Sequence, residues 1–274
     1  MNRFLLGILA IPALFLANTH LHAQVSTETA MDWSTGIFRI SAMEPLPENL
    51  SPNDHPQALA MLEDRLPQIA AEELGALNWN RHGSLEEYIR NNAAAPGRFE
   101  FLTRSIRREW SRITPDGLFV EALYSLDLSM ALPSAFPPSR VRDTPPIPPG
   151  WHPRPEDPWS GIVVYAPSML PLRGRESSAE PMPALRARIL AADLTVLFDP
   201  ETSAGQLPYY GILGDETERI TGRRPMRLLA DELYGSVSCD IILTLEDSER
   251  ILSSPSARQV LTEGRVMILL DAFP

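Results

Sequence analysis

Lysine is absent from this sequence: all 24 of the basic residues among its 274 are arginine. That absence excludes a GxxxxGK[ST] phosphate loop, Schiff-base catalysis, a Ser-x-x-Lys nucleophile pair and a protein-kinase fold, each of which needs a lysine amine. Cysteine is nearly absent too. One thiol, Cys239, cannot form an internal disulfide, and its place in "SVSCDIILT", just before an apolar run, reads as a buried inert thiol. Aromatic residues make up only 7% of the chain, few for the aromatic-lined cleft of a glycosidase. No G-x-G-x-x-G follows an apolar strand, which leaves a dinucleotide fold unsupported, and no G-x-S-x-G elbow occurs.

What is present bounds the protein further. The formal net charge of −11 argues against nucleic acid as the main partner, because phosphate binding needs clustered positive charge. The N-terminus reads as a signal peptide over residues 1–23, with Arg3 as the positive region, Phe4 to Ala17 as the apolar core and Leu21-His22-Ala23 as the cleavage site. That core falls short of the roughly 20 residues a membrane span needs. The expected location is therefore the periplasm, with no transmembrane span after cleavage. The mature chain keeps His55, His82 and His152, each isolated, so no metal site and no cofactor is expected. Clustered acids, Asp215, Glu216 and Glu218, then Asp231 and Glu232, read as solvated surface.

Periodicity divides the chain. "DWSTGIFRISAM" (32–43) reads as a strand, and Leu59, Leu62, Leu66, Ile69, Ala70, Leu74 and Leu77 mark a helix that Pro67 should kink or split. Ser84 and Glu87 form a capping box. A two-faced helix is expected over 97–112, with Phe99, Leu102, Ile106 and Trp110 opposite Arg104, Arg107, Arg108 and Arg112. "LFVEALYSLDL" alternates as a strand. Residues 133–158 hold ten of the 27 prolines and read as a stiff connector that no helix should enter. Beyond it come the strand Gly161 to Ala166, two short strands around Ala191-Ala192-Asp193, and a compact helix in "RRPMRLLADELYG". The strand "CDIILT", two helices and the last strand "RVMILLD" follow, in an order that suits a parallel βαβ crossover. The expected fold is α+β: an N-terminal strand-helices-strand domain (24–132), the connector, and a mixed α/β domain (159–274).

The stretches "WSGIVVYAPSMLPLRG", "LRARILAADLTVLFD", "GDETERITGRRPMRLLADELYG" and "CDIILTLEDSERILSSPSARQVLTEGRVMILLD", with "DWSTGIF" and "RHGSLEEYI", resemble a family of exported spirochaete envelope proteins. Related envelope proteins carry an Arg after the opening strand and an acidic turn. Here Pro167 stands in place of that Arg, and Ala191 and Ala192 stand in place of the acids, while Arg188 and Ile189 are kept. The resemblance implies export and fold, and by analogy a role in envelope assembly, beside a periplasmic flagellum for instance. The resulting expectation is a non-enzymatic scaffold that binds another envelope or periplasmic protein. The alternative is a periplasmic hydrolase of envelope polymers, using carboxylates or a scattered Ser-His-Asp triad. The candidate contact residues are Tyr165, Arg188 and Asp193 around the exit of the opening strand, and the basic face Arg104, Arg107, Arg108 and Arg112. A cleft after Tyr165 holding a His or paired acids would favour the hydrolase. The oligomeric state stays open.

Overall fold

The computed structural model describes residues 26–46, 54–137, 158–203, 206–215 and 217–273. The expected signal segment and most of the proline-rich connector lie outside the described residues.

The first part of the chain runs β1 (Ser26–Asp32), β2 (Ile37–Pro45), α1 (His55–Ala76), β3 (Asn78–Asn80), β4 (Gly83–Ser84), α2 (Leu85–Asn91), α3 (Ala95–Arg104), β5 (Arg107–Ile113), β6 (Phe119–Asp127) and α4 (Leu128–Ala135). Its main sheet is antiparallel, in the order β1-β2-β6-β5. Alternation puts Phe38, Ile40 and Ala42 of β2 and Val120, Ala122, Tyr124 and Leu126 of β6 on one face, against Leu59, Leu62 and Leu74 of α1 and Leu102 of α3. The first strand of the sequence reading is in fact a hairpin. Asp32 Oδ1 accepts from the Ser34 and Thr35 amides and from the Ser34 hydroxyl, which pins the turn. Burial opposes ionisation of Asp32, but the bonds from Thr35 and Ser34 together outweigh it and hold its pKa below the usual value.

Three further local expectations are corrected. Helix α1 runs unbroken through Pro67, whose ring lies on the exposed side, where the released carbonyl faces water. The helix expected over 97–112 stops at Arg104, and Arg107 to Ile113 form the edge strand β5 instead. The backbone of β6 needs a partner on that side, and β5 supplies it. Helix α4 also enters the connector, with Pro133 inside it.

The second part contains β7 (Gly161–Ala166), β8 (Leu170–Pro171), β9 (Ser178–Ala179), β10 (Ile189–Leu190), β11 (Val196–Phe198), β12 (Tyr209–Ile212), α5 (Glu218–Thr221), β13 (Pro225–Tyr234), β14 (Asp240–Leu243), α6 (Leu245–Ser253), α7 (Pro255–Thr262) and β15 (Val266–Leu270). Seven of these strands form a mixed sheet in the order β11-β10-β14-β13-β7-β15-β12. "GIVVYA" is a central strand between β13 and β15, parallel to both. The helix expected at Pro225 to Gly235 is instead the long strand β13. Its Met226, Leu228 and Ala230 point into the core while Arg227, Leu229 and Asp231 stay exposed, a period of two that the neighbouring strands select. Thr244 and Ser254 cap α6 and α7 as side-chain acceptors. The parallel crossover is made over β12–α5–β13, whereas α6 and α7 connect strands of opposite direction, β14 and β15. The α+β class therefore holds.

The two parts are stitched together by backbone. Leu185 and Arg186 donate to the carbonyls of Asn78 and Trp79, at 2.9 and 2.7 Å, and the Asn78 amide side chain donates to Pro183 O. Tyr210 N donates to Trp33 O, and the two rings meet edge to face at 5.4 Å. Ser236 donates to Arg81 O from both its amide and its hydroxyl. Just before it, Gly235 has φ +100°, and a Cβ there would lie 2.4 Å from Arg81 Cβ. Gly235→Ala thus combines left-handed strain, of order 1–3 kcal/mol, with a clash. It should lower stability by at least about 2 kcal/mol in urea titration, whereas Gly97→Ala, which meets nothing within 4 Å, should not.

Candidate functional site

Where the two parts join lies a pocket of about 180 Å³, lined by Asn80, Arg81, His82, Arg186, Arg188, Asp199 and Glu201. Its walls come from both parts. The β3–β4 hairpin places the first three residues: His82 N donates to Asn80 Oδ1, which closes the turn, and Arg81 Nε lies 3.0 Å from His82 Nε2. The approach to β10 places Arg186 and Arg188, and the turn after β11 places Asp199 and Glu201, where Asp199 Oδ1 accepts from Glu201 N.

Asp240 anchors the floor. Fully buried at 0% exposure, it receives Arg188 Nε and Nη2 at 2.9 and 2.5 Å and the Arg188 amide at 3.0 Å, with Arg81 Nη1 3.6 Å away. Burial raises its pKa in spite of the charge and hydrogen bonds of Arg188. Desolvation therefore weighs more than the pairing, as is common for buried ion pairs.

Arg186 is the unusual member. Its side chain is 3% exposed and lies over the Trp79 ring at 5.2 Å, while Trp79 itself stacks on Tyr88 at 4.6 Å and meets Phe136 at 5.3 Å. Nη2 donates to Phe136 O, but Nε and Nη1 have no hydrogen-bond partner among the described residues. Burial lowers its pKa, opposed by the charges of Glu201 and then Asp199. A desolvated cation–π contact is worth about 2 kcal/mol, less than the several kcal/mol of desolvating a guanidinium. Folding thus tolerates an under-satisfied cation at this spot.

The sequence-derived candidates fall elsewhere, Arg188 excepted. Tyr165 stands at the exit of β7 and its hydroxyl donates to Asp271 Oδ1 at 2.6 Å. Asp271 also receives the Ser168 amide and hydroxyl, and the Ser168 hydroxyl is the main reason its pKa is lowered. The loop after Tyr165 does form a hollow, of about 90 Å³, lined by Ser168, Glu180 and Asp271 among others, with two acids and no histidine. Asp271 acts there as the fastener of the loop. Asp193 caps the β10–β11 turn by accepting from Thr195 N. The basic face is dispersed. Arg104 pairs with Glu100 on α3, Arg108 with Glu63 of α1 and Arg112 with Glu121 of β6, while Arg107 has no partner among the described residues. Sequence reasoning missed Arg186, Arg81 and Asp240, since nothing in their local spacing signals that distant segments bring them together.

Among the described residues no three His, Cys, Asp or Glu side chains gather as they would around a metal ion, and no helix is long and apolar enough to cross a membrane. Cys239 is buried, and desolvation first, then the Asp240 charge, pushes its thiol pKa up.

Comparison with known families decides the lineage. Residues 24–135 match the model described as Treponema pallidum Tp0624, N-terminal domain, and residues 161–272 match Treponema pallidum Tp0624, second domain. The chain belongs to this spirochaete family. No curated protein matches it. In Tp0624 terms, the candidate pocket lies where the N-terminal and second domains meet, with walls from both.

Two outcomes follow from this geometry. Arg188→Ala removes both guanidinium bonds and leaves the buried Asp240 with the amide of residue 188 and the longer Arg81 contact, so it should cost about 3 kcal/mol in chemical denaturation. Cys239 should resist iodoacetamide in the native protein and react fully once urea unfolds it, as mass spectrometry would read.

Proposed function

We propose that the chain is a non-catalytic binding protein of the spirochaete envelope that docks another exported protein through the open face of its first sheet. The observation that carries this reading is the register of β5. Bulged between Arg108 and Trp110, it sets Arg107, Trp110 and Arg112 in line with Ser125, Leu123 and Glu121 of β6, and these with Arg39, Ser41 and Met43 of β2. This is the face turned away from α1. Trp110 is 39% exposed and carries the Arg112 guanidinium at 5.2 Å.

Trp and Arg are the side chains that most often dominate binding energy at protein interfaces. The ion pairs at the rim, Arg112 with Glu121 and Arg39 with Glu109, are exposed and so individually weak. They are readily exchanged for the acidic side chains of a partner, and Arg107 has none to give up. The leader-like N-terminus supports an exported location.

A photo-crosslinking residue placed at 110 or 107 in the living cell should capture one discrete exported protein, and a probe at Glu72 on the opposite layer should not. With that protein purified, Trp110→Ala should weaken binding at least tenfold while leaving the unfolding midpoint in place. Scattered background from both probes, together with turnover of an envelope polymer by the purified chain, would replace this reading with the hydrolase.

A further inference from the structure

The first sheet ends in β1 on one side and β5 on the other, and among the described residues no further strand pairs with either edge. Proteins usually guard such edges with proline, lysine or a bulge. β1 has none of the three: its seven residues pair with β2 in unbroken register and are mostly exposed. β5 does carry a bulge, but near its start, between Arg108 and Trp110, so that Trp110 to Ile113 run straight.

Hydrogen bonds just beyond the strand ends fix which backbone groups look outward. Leu46 N donates to Leu118 O and Leu128 N donates to Gly36 O, so the even-numbered residues of β2 bond to β6 and the odd-numbered ones bond to β1. The β1 partners of those odd residues are Ser26, Glu28, Ala30 and Asp32, which leaves the backbone groups of Thr27, Thr29 and Met31 aimed away from the sheet. On the other side Thr114 N donates to Phe119 O, so Arg112 and Trp110 bond to β6, and Ser111 and Ile113 aim outward.

Laid antiparallel, these two edges match. With Thr29 opposite Ser111 and Thr27 opposite Ile113, the outward groups bond in pairs. The side chains between them then fall in complementary order: Glu28 opposite Arg112, Ala30 opposite Trp110, and Asp32 toward Arg107 across the bulge. Neither Glu28 nor Arg107 has an ion-pair partner among the described residues, and Arg112 spends only Nε and Nη2 on Glu121. Like edges match worse. Two β5 strands would gather Arg107, Arg108 and Arg112 of both copies, and two β1 strands would gather Glu28 and Asp32 of both. The strand count agrees as well. Because the sheet has four strands, all antiparallel, a second copy added at β5 keeps the strand direction and the outer face of the first.

We propose that copies of this chain associate head to tail, with β1 of one copy extending the first sheet of the next along β5. Such a contact is heterologous and leaves one free edge at each end, so growth is open-ended. A twist of about 20–25° per strand turns successive copies by about 80–100°. The second domains, tied to the β1–β2 turn at Trp33 and Ser34, therefore leave the axis in successive directions. The outer face that carries Trp110 runs on from copy to copy and stays open for docking.

Sedimentation equilibrium of the purified chain should give an average mass that climbs with concentration past that of a dimer. Thr27→Pro removes an outward amide of β1, and Ser111→Pro one of β5. Neither amide bonds within the sheet, so both variants should fold normally and stay monomeric. Mixed, they should form a dimer that grows no further, because one keeps its β5 edge and the other its β1 edge. Glu28→Arg, a change of an exposed side chain, should weaken association by about tenfold or more. A monomer at every soluble concentration would overturn the proposal. A dimer that survives in Ser111→Pro alone would replace it with a β1–β1 contact, and one that survives in Thr27→Pro alone with a β5–β5 contact. Thr27→Pro leaves Trp110 and Arg107 in place, so this monomer tests docking without assembly, and either reading can fail by itself.

Discussion

Two backbone hydrogen bonds, from Leu185 to Asn78 and from Arg186 to Trp79, set the architecture of this protein. They hold the segment before β10 against the short strand β3, so that the backbone of each half is fastened directly to the backbone of the other. Leu185 then packs into the core of the first domain although it belongs to the second, and Trp33 of the first packs against Tyr210 of the second. An unpaired amide buried at such a contact would be costly, so pairing and packing support each other. Arg186 is delivered onto the face of Trp79 as a direct consequence.

The same constraint explains why charge collects at the junction. Once the 183–186 segment is fastened to β3, Arg81 and Arg188 converge on the buried Asp240 of β14, and Arg186 lines the same pocket as these two arginines. The Arg188–Asp240 pair fixes the chain direction into β10 through three contacts, one of them to the backbone amide. The pair is therefore better read as an alignment device than as a source of net stability, given the desolvation it carries. Arg186 is held less completely, and that asymmetry distinguishes the pocket from the hollow after β7. In that hollow, Asp271 accepts three hydrogen bonds from Tyr165 and Ser168, and its carboxylate does the work of a loop clasp.

The first sheet presents the opposite situation. Its inner face is filled by helices, and its outer face carries Trp110, Leu123 and Met43 between arginines and glutamates that pair only at the surface. A one-sided antiparallel sheet is stable in water with such a face, so nothing in folding demands a tryptophan there. Membership in the spirochaete Tp0624 family fits both features without naming either, because the family match covers the two domains and describes no activity.

Much of this was legible in the sequence wherever the signal is local. The capping box of Ser84 and Glu87, the alternation of β6 and the burial of Cys239 depend on neighbours a few residues away, and they formed as expected. The exclusions drawn from the missing lysine need no structure at all. What only the tertiary structure decided is the state of segments whose apolar spacing fits two periods, and the company kept by distant charges. Met226, Leu229, Ala230 and Leu233 suit a helix as well as a strand, until β7 and β14 offer hydrogen bonds on both sides and make β13 a strand. Trp110 likewise fits a helix face until β6 requires an edge partner. Arg81, Arg186 and Asp240 lie far apart in the chain and share no motif. Long-range backbone pairing brings them together, and that pairing has no counterpart in the spacing of residues along a sequence.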